Sequence, residues 1–388
     1  LPVRVVSVIT RLARGGSERR LYDVLRAVPA DHTVVVGADS DPTVVGRLAT
    51  DHEVIECPEL VRPVGVFRDP RALAWLVSIL RSRSADVVHT HQSKAGLLGR
   101  VAARGARVRT IYHSASMASF GPGYGAAESR MFAVAERATA PLVSRYFVVG
   151  TDLVERLAAN GIARRRLEVV RSSLDLRAFV PPSADEQAAL RARFGVEPGT
   201  RVVCYVGSLE ERKGVTSLPE IVSAAAGSQP VSLLVAGAGP AYAELAARAS
   251  DPGLGIGLQV LGYVNDVAEV MRASDLLVLP SSAEGLPQVL VQAASCGLPF
   301  TAYDVDGVRE LLALGAVGRV VPVGDRPGLT SSVASALAAT RGADRSAAVD
   351  PAVWAAWDPE VVAGQYRAAY EQDLGCRLGP GRQDRLRE

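Results

Sequence analysis

LLVLPSSAEGLPQVLVQAASCGLP, residues 276–299, decides the fold. The four apolar residues Leu276 to Leu279 suit a strand covered on both faces, and Pro280-Ser281-Ser282 stops it. Glu284 and Gly285 stand where the next helix begins. Free backbone N–H groups and the positive end of that helix's dipole converge there on an anion or a hydroxyl-rich ligand. On this segment alone, an ordinary strand-turn-helix unit with a solvated glutamate is the alternative reading.

Outward from this segment, apolar runs alternate with helical patterns along most of the chain, the signature of parallel sheets built from strand-helix-strand units. The first half carries expected strands at Val3–Ile9, Thr33–Gly37, Glu53–Cys57, Asp86–His89, Thr110–His113, Tyr146–Gly150 and Glu168–Arg171. The second carries them at Arg201–Gly207, Ser232–Ala236, Gln259–Gly262, Leu276–Leu279, Pro299–Ala302 and Gly318–Pro322. Between the two series, FVPPSADEQAALRARFGVEPGT (179–200) breaks the alternation with two prolines and a charged helical patch. The expected organisation is an N-terminal α/β domain over 1–180, a linker over 181–200 and a C-terminal α/β domain over 201–358. A helix over 359–375, packing back on the first domain, and a flexible tail over 376–388 follow. Two such sheets with a hinge between them make a cleft.

Composition narrows the function. A chain of 388 residues with 48% apolar and 22% charged residues is a soluble globular protein of two domains, and a net charge of +2 argues against nucleic acid as the main partner. Cys57, Cys204, Cys296 and Cys376 are too dispersed for a disulfide framework or a zinc cluster, which points to a reducing, cytoplasmic setting. The N-terminal apolar run reads as a first core strand rather than a signal peptide, and no window is long enough to span a membrane. Only Lys94 and Lys213 among the 43 basic side chains are lysine, which singles both out.

Four constellations could carry chemistry. Arg14-Gly15-Gly16-Ser17-Glu18 follows the first strand and opens a helix; paired glycines allow close approach to a phosphate, or serve a simple turn. Gly207-Ser208-Leu209-Glu210-Glu211-Arg212-Lys213-Gly214 puts two cations at a helix start, a conflict that a bound phosphate resolves. Gly237-Ala238-Gly239-Pro240 reads as a tight turn without chemistry. His89, His91, Lys94 and His113 lie near the ends of neighbouring strands and read as polar groups lining a cleft, with His89 a core histidine by default; no further ligand lies near enough in sequence to suggest a metal site.

Seven segments in order then carry a resemblance: RGGSERRLYDVL (14–25), VVHTHQSKAGLLGRVAAR (87–104), VGSLEERKGV (206–215), VAGAGP (235–240), LGYVNDV (261–267), ASDLLVLPSSAEGLPQVLVQAASCGLPF (273–300) and VDGVREL (305–311). With them the chain resembles family 4 glycosyltransferases of the GT-B architecture, two Rossmann-like domains facing across a cleft, from Val3 to Gln372. The resemblance implies a retaining, metal-independent transfer from a nucleoside diphosphate sugar with no cofactor; a UDP-sugar is preferred over a GDP-sugar. It places Glu284 on hydroxyls of the donor sugar and Lys213 and Arg212 at the diphosphate. Gly15, Gly16, Ser208, Gly285, Leu286 and Pro287 would line the donor, with Tyr263 and Val264 at the nucleobase and Gln292 at the ribose. His91, Lys94, His113 and Ser116 fall on the acceptor side.

Three positions depart from the family pattern. Gln292 replaces the second of two glutamates eight residues apart, which exchanges a charged hydrogen bond for a neutral one at about 1 kcal/mol. Ser208 stands where an arginine is common, so Arg212 takes its place, and Ser116-Met117 replaces a histidine-glycine pair. The small, glycine-punctuated loop from Ser114 to Tyr124 suits a polar small-molecule or glycoside acceptor in specialised-metabolite biosynthesis. A lipid-linked or membrane-surface acceptor is the alternative, with Arg62, Arg68, Arg71, Arg81 and Arg83 around the apolar helix pattern 73–80 giving peripheral membrane contact. A non-catalytic nucleotide-sugar-binding protein and a nucleotide-sugar epimerase are the readings from other classes. The sequence leaves the oligomeric state open.

Overall fold

The computed structural model describes residues 2–13, 15–121, 124–339 and 351–378. They form two compact units, one running to Leu174 and resuming at Ala356, the other spanning Asp175–Ala355. The first unit holds β1 (Arg4–Ile9), β2 (Asp31–Gly37), β3 (Glu53–Cys57), β4 (Val87–His91), β5 (Thr110–Ala115), β6 (Arg145–Val148) and β7 (Leu167–Val169). All pair in parallel, in the order 3-2-1-4-5-6-7. Its intervening helices are α1 (Gly16–Ala27), α2 (Pro42–Leu48), α3 (Arg68–Ser82), α4 (Ser93–Gly105), α5 (Ala126–Thr139) and α6 (Thr151–Ala159).

The second unit opens with α7 (Ala184–Arg193) and holds β8 (Arg201–Val206), β9 (Val231–Ala236), β10 (Gly257–Gly262), β11 (Leu276–Leu279), β12 (Phe300–Tyr303) and β13 (Gly318–Val321). These too are parallel, in the order 10-9-8-11-12-13. Its other helices are α8 (Leu218–Ala226), α9 (Tyr242–Arg248), α10 (Val267–Ala273), α11 (Gln288–Ser295), α12 (Val308–Ala313), α13 (Arg326–Ala338) and the short α14 (Pro351–Trp354). In each sheet the order reverses next to the first strand, between β1 and β4 and between β8 and β11. Adjacent loops diverge at such a switch point and leave room for a ligand beyond the carboxyl ends of the strands.

All thirteen expected strands are present, with ends within two residues of expectation, because strands covered on both faces read as continuous apolar runs. Two expectations need correction. Residues 184–193, assigned to a linker, are a helix of the second unit. Its Ser183–Glu186 capping box starts it, and Arg191 Nε donates to the Ala273 carbonyl at 2.8 Å while Arg193 pairs with Glu269 at 2.7 Å, so α7 is fastened to α10. The chain also leaves the second unit at Ala355 rather than after 358: the Leu174 N–H bonds to the Trp357 carbonyl, and the buried Trp357 ring lies under Arg171.

The last helix, α15 (Pro359–Leu374), packs beside α1, and its Val362, Tyr366 and Tyr370 join Val5, Val24, Val87, Tyr112 and Phe147 in one core. Beyond its Gly375 cap the start of the expected tail is held, since the Leu378 N–H bonds to Glu371 and its side chain rests on that core. Residues 379–388 lie outside the described residues.

Candidate active site

The second unit gathers most of the expected donor-side residues at its switch point. β8 ends at Val206, and the chain crosses Gly207 and Ser208 into a turn at Glu211–Lys213 closed by Gly214 at φ 66°. Gly214 is required twice over, by that left-handed backbone and because a Cβ would collide with the Pro280 carbonyl oxygen at the end of β11. The two strand ends are stitched together, with the Ser282 N–H donating to the Arg212 carbonyl at 3.0 Å and Arg212 Nη1 to the Ala283 carbonyl at 2.6 Å. Lys213 Nζ reaches Glu284 Oε1 at 2.5 Å, both side chains largely buried.

This geometry answers the conflict of adjacent cations. The sequence reading satisfied both with an anion; in the structure Glu284 holds Lys213 and a backbone carbonyl holds Arg212. Tyr205 closes the floor by donating to the Ser208 carbonyl at 2.7 Å. Burial, reinforced by the Glu284 and Glu210 carboxylates, holds its phenol well above its ordinary pKa, so it is a neutral donor.

Gly285, Leu286 and Pro287 lead from Glu284 into α11, which starts without a side-chain cap while its Leu290 N–H bonds the Pro287 carbonyl at 3.0 Å, and half-buried Gln292 lies one turn further. Gly307, at φ 84°, presses against this turn from α12, where a Cβ would stand 2.7 Å from the Leu286 Cα. Tyr263, exposed, and Val264, half-buried, follow β10. Their strand end is joined to the others by the Gly237 N–H, which donates to Gly262, and the Gly207 N–H, which donates to Ala236. Tyr205 and Gly307 were missed as site residues, and Gly214 entered only as the last residue of the Gly207–Gly214 segment. The Lys-Gly and Asp-Gly turns were the available signal for the two glycines, whereas the buried tyrosine inside a strand gave none.

The first unit treats its expected residues differently. Gly15 and Gly16 start α1, exposed, and the Gly15 N–H is capped by Glu18 at 3.2 Å; Arg14 lies outside the described residues. Ser116 is half-buried just past β5, in the loop whose residues 122 and 123 are also outside the described set. Three residues expected on the acceptor side are buried. His113 lies in the core, bonded to Thr90 Oγ1 at 2.9 Å, with α4 so close that a Cβ at Gly96 would come within 2.7 Å of its ring. Lys94 is buried too, its ammonium bound to the Pro63 carbonyl and paired with Asp69 at 2.5 Å. His91 is buried at the end of β4 and stacked on His89, its Nε2 without a hydrogen-bond partner among the described residues.

His89 itself is a satisfied core histidine, bonded to Tyr370 at 2.7 Å and Ser114 at 2.8 Å. At the switch point here Gln92, at φ 64°, exchanges two hydrogen bonds with the Arg11 backbone, at 3.0 and 2.9 Å. Among the described residues no group of three or more His, Cys, Asp or Glu side chains is placed to hold a metal ion.

Residues 15–172 match the family described as glycosyl transferase 4-like domain, and residues 200–339 match glycosyl transferases group 1. A 2-deoxystreptamine N-acetyl-D-glucosaminyltransferase of Streptomyces fradiae is 30% identical over 287 residues, 68% of this chain and 67% of that protein. The chain belongs to this glycosyltransferase family. A UDP-Gal:alpha-D-GlcNAc-diphosphoundecaprenol alpha-1,3-galactosyltransferase of Escherichia coli is 27% identical over 259 residues, 64% of this chain and 66% of the relative, so the chain spans about two thirds of the length of that relative. The crystal structure of Anabaena Alr3699/HepE in complex with UDP and glucose gives a TM-score of 0.77 at 20% identity, covering 95% of this chain and 100% of the other. At that identity the likeness is one of fold, the GT-B fold of this glycosyltransferase family.

Proposed function

We propose that this glycosyltransferase moves a sugar from a UDP-sugar to an acceptor with retention of anomeric configuration, using the β8–β11 switch point of its second unit as the donor site. The observation that carries this is the Lys213–Glu284 pair at the carboxyl ends of adjacent parallel strands. In the reaction the bond between the anomeric carbon and the diphosphate oxygen breaks and the acceptor oxygen bonds to the same face. The acceptor's proton leaves on the departing phosphate. Negative charge grows on the diphosphate as it departs, and Lys213, Arg212 and the first N–H groups of α11 are the preorganised positive groups that meet it. Lys213, drawn to the diphosphate, releases Glu284 to accept hydrogen bonds from the sugar hydroxyls. Gln292 bonds the ribose through its neutral carbonyl.

For the acceptor, a lipid-linked saccharide is the reading we adopt, supported by the diphosphoundecaprenol acceptor named for the Escherichia coli relative. A polar cyclitol is the second reading. It is favoured by the 2-deoxystreptamine enzyme and by D-inositol 3-phosphate glycosyltransferases such as that of Mycolicibacterium smegmatis, 27% identical over 97% of this chain. Incubation with UDP-glucose, UDP-galactose and UDP-N-acetylglucosamine against a polyprenyl diphosphate saccharide and a cyclitol set separates them. The expected result is UDP release with the lipid acceptor and an α-linked product by NMR. A β-linked product, or no UDP release with any pair, overturns the donor chemistry; transfer to the cyclitols alone overturns the acceptor reading.

A further inference from the structure

Between β3 and α3 the chain exposes three large apolar side chains within four residues: Val64 at 58%, Val66 at 81% and Phe67 at 78%. This exposure belongs to a fastened loop. The buried Lys94 ammonium bonds the Pro63 carbonyl and pairs with Asp69, whose other oxygen accepts from the Gly65 N–H at 3.2 Å. The one clamp thus ties two points of the loop to the first turn of α3 and holds the apolar tip in solvent. Nor does α3 offer that tip cover, because Leu73, Trp75, Val77 and Ile79 already pack against the first unit's own core.

The charge around the tip is mainly basic, although the exposed Asp39 carboxylate accepts from the Arg62 backbone N–H at 3.2 Å. Arg62, Arg68 and Arg71 are exposed, and the nearest carboxylate to the last two, Glu59, is more deeply set and 3.9 Å from each. Asp69, in the first turn of α3, is taken by Lys94.

We propose that this loop is a docking surface for an anionic lipid bilayer, with Val64, Val66 and Phe67 entering the boundary between headgroups and acyl chains and Arg62, Arg68 and Arg71 meeting lipid phosphates. Shallow apolar insertion combined with basic charge is how peripheral proteins hold a membrane surface. Three apolar side chains are too few for a stable protein interface, which buries on the order of 800 Å² on each partner. The surface goes beyond the acceptor reading, since membrane binding is read without any sugar transfer and each can fail alone.

Flotation of the full chain with phosphatidylcholine vesicles, with and without phosphatidylglycerol, tests it at about 0.1 M and 1 M salt, where screening lengths are about 10 and 3 Å. The expected result is binding to the anionic vesicles that weakens at high salt. Phe67→Ser should lower the partition coefficient about tenfold, and Arg62→Ala, Arg68→Ala and Arg71→Ala about fivefold each. All these positions are exposed, and unchanged melting temperatures confirm intact folding. Independently, the added indole of Phe67→Trp should shift its emission to the blue when anionic vesicles are added. Absence of vesicle binding, binding indifferent to Phe67→Ser, or an unmoved Phe67→Trp emission overturns the proposal.

Discussion

Lys213 and Glu284 are each other's partner at 2.5 Å, so neither can be removed without exposing the other's charge in a largely buried setting. Lys213→Ala is expected to slow transfer about 10²–10³-fold, because it removes a preorganised cation from the place where charge grows on the diphosphate. The variant should also show less stabilisation by UDP in thermal shift, while acceptor KM changes little. A variant that loses stability but keeps wild-type kcat would give Lys213 a purely structural role.

Sequence spacing made this residue legible, since a lone lysine after a strand, followed by glycine, is a local pattern. Lys94 likewise follows a strand and opens a helix, but its partner Asp69 comes from the first turn of α3, 25 residues earlier, and only the fold brings them together. Its function is to fasten a loop, and nothing near it in sequence encodes that.

Among the elements, β4 shows how an apolar strand with polar members behaves. Its alternate residues His89 and His91 point to one face and stack at 4.6 Å, both buried, with His89 also lying against Tyr112, Phe147 and Tyr370. Burial is the main cause that drives the imidazole of His91 down to about pKa 3, with Arg20 adding to it, and it holds His89 and His113 well below the ordinary value. A histidine kept neutral in the fold binds a proton only after unfolding once the pH drops below about 6.5, so its contribution to stability is present above that pH and is lost on acidification. For His91 the loss continues down to about pH 3.

Between pH 7.5 and pH 5 each such histidine lowers stability by about 2 kcal/mol. Urea midpoints should therefore fall steeply over that interval, and less steeply in His91→Gln. Equal slopes for the two proteins would show that His91 titrates normally. The strand itself was legible from its valines. The depth of its histidines was not, because it depends on α15, which returns from the far end of the chain to cover them.

At the scale of the whole molecule, that return makes the two units unequal. The first unit is discontinuous in sequence, and its core includes Val362, Tyr366 and Tyr370 from α15, all buried. Cutting the chain after Asp358 removes these side chains and leaves Tyr112, Phe147 and His89 facing water. Truncating one large buried side chain costs about 2–5 kcal/mol, so losing three exceeds or matches the entire stability of an ordinary domain.

The second unit is one continuous segment with its own six-stranded parallel sheet and its own α7, fastened through Arg191 and Arg193. Residues 175–355 expressed alone should therefore fold cooperatively. They should gain stability from UDP, by about 2.7 kcal/mol at one hundred times the dissociation constant. The chain ending at Asp358 should retain that UDP-responsive transition while its first unit becomes sensitive to protease. If the isolated 175–355 segment fails to fold, or folds without responding to UDP, the donor site does not reside in this unit alone. In that case the loops at Gly15 and Gln92 become the next residues to test for nucleotide contact.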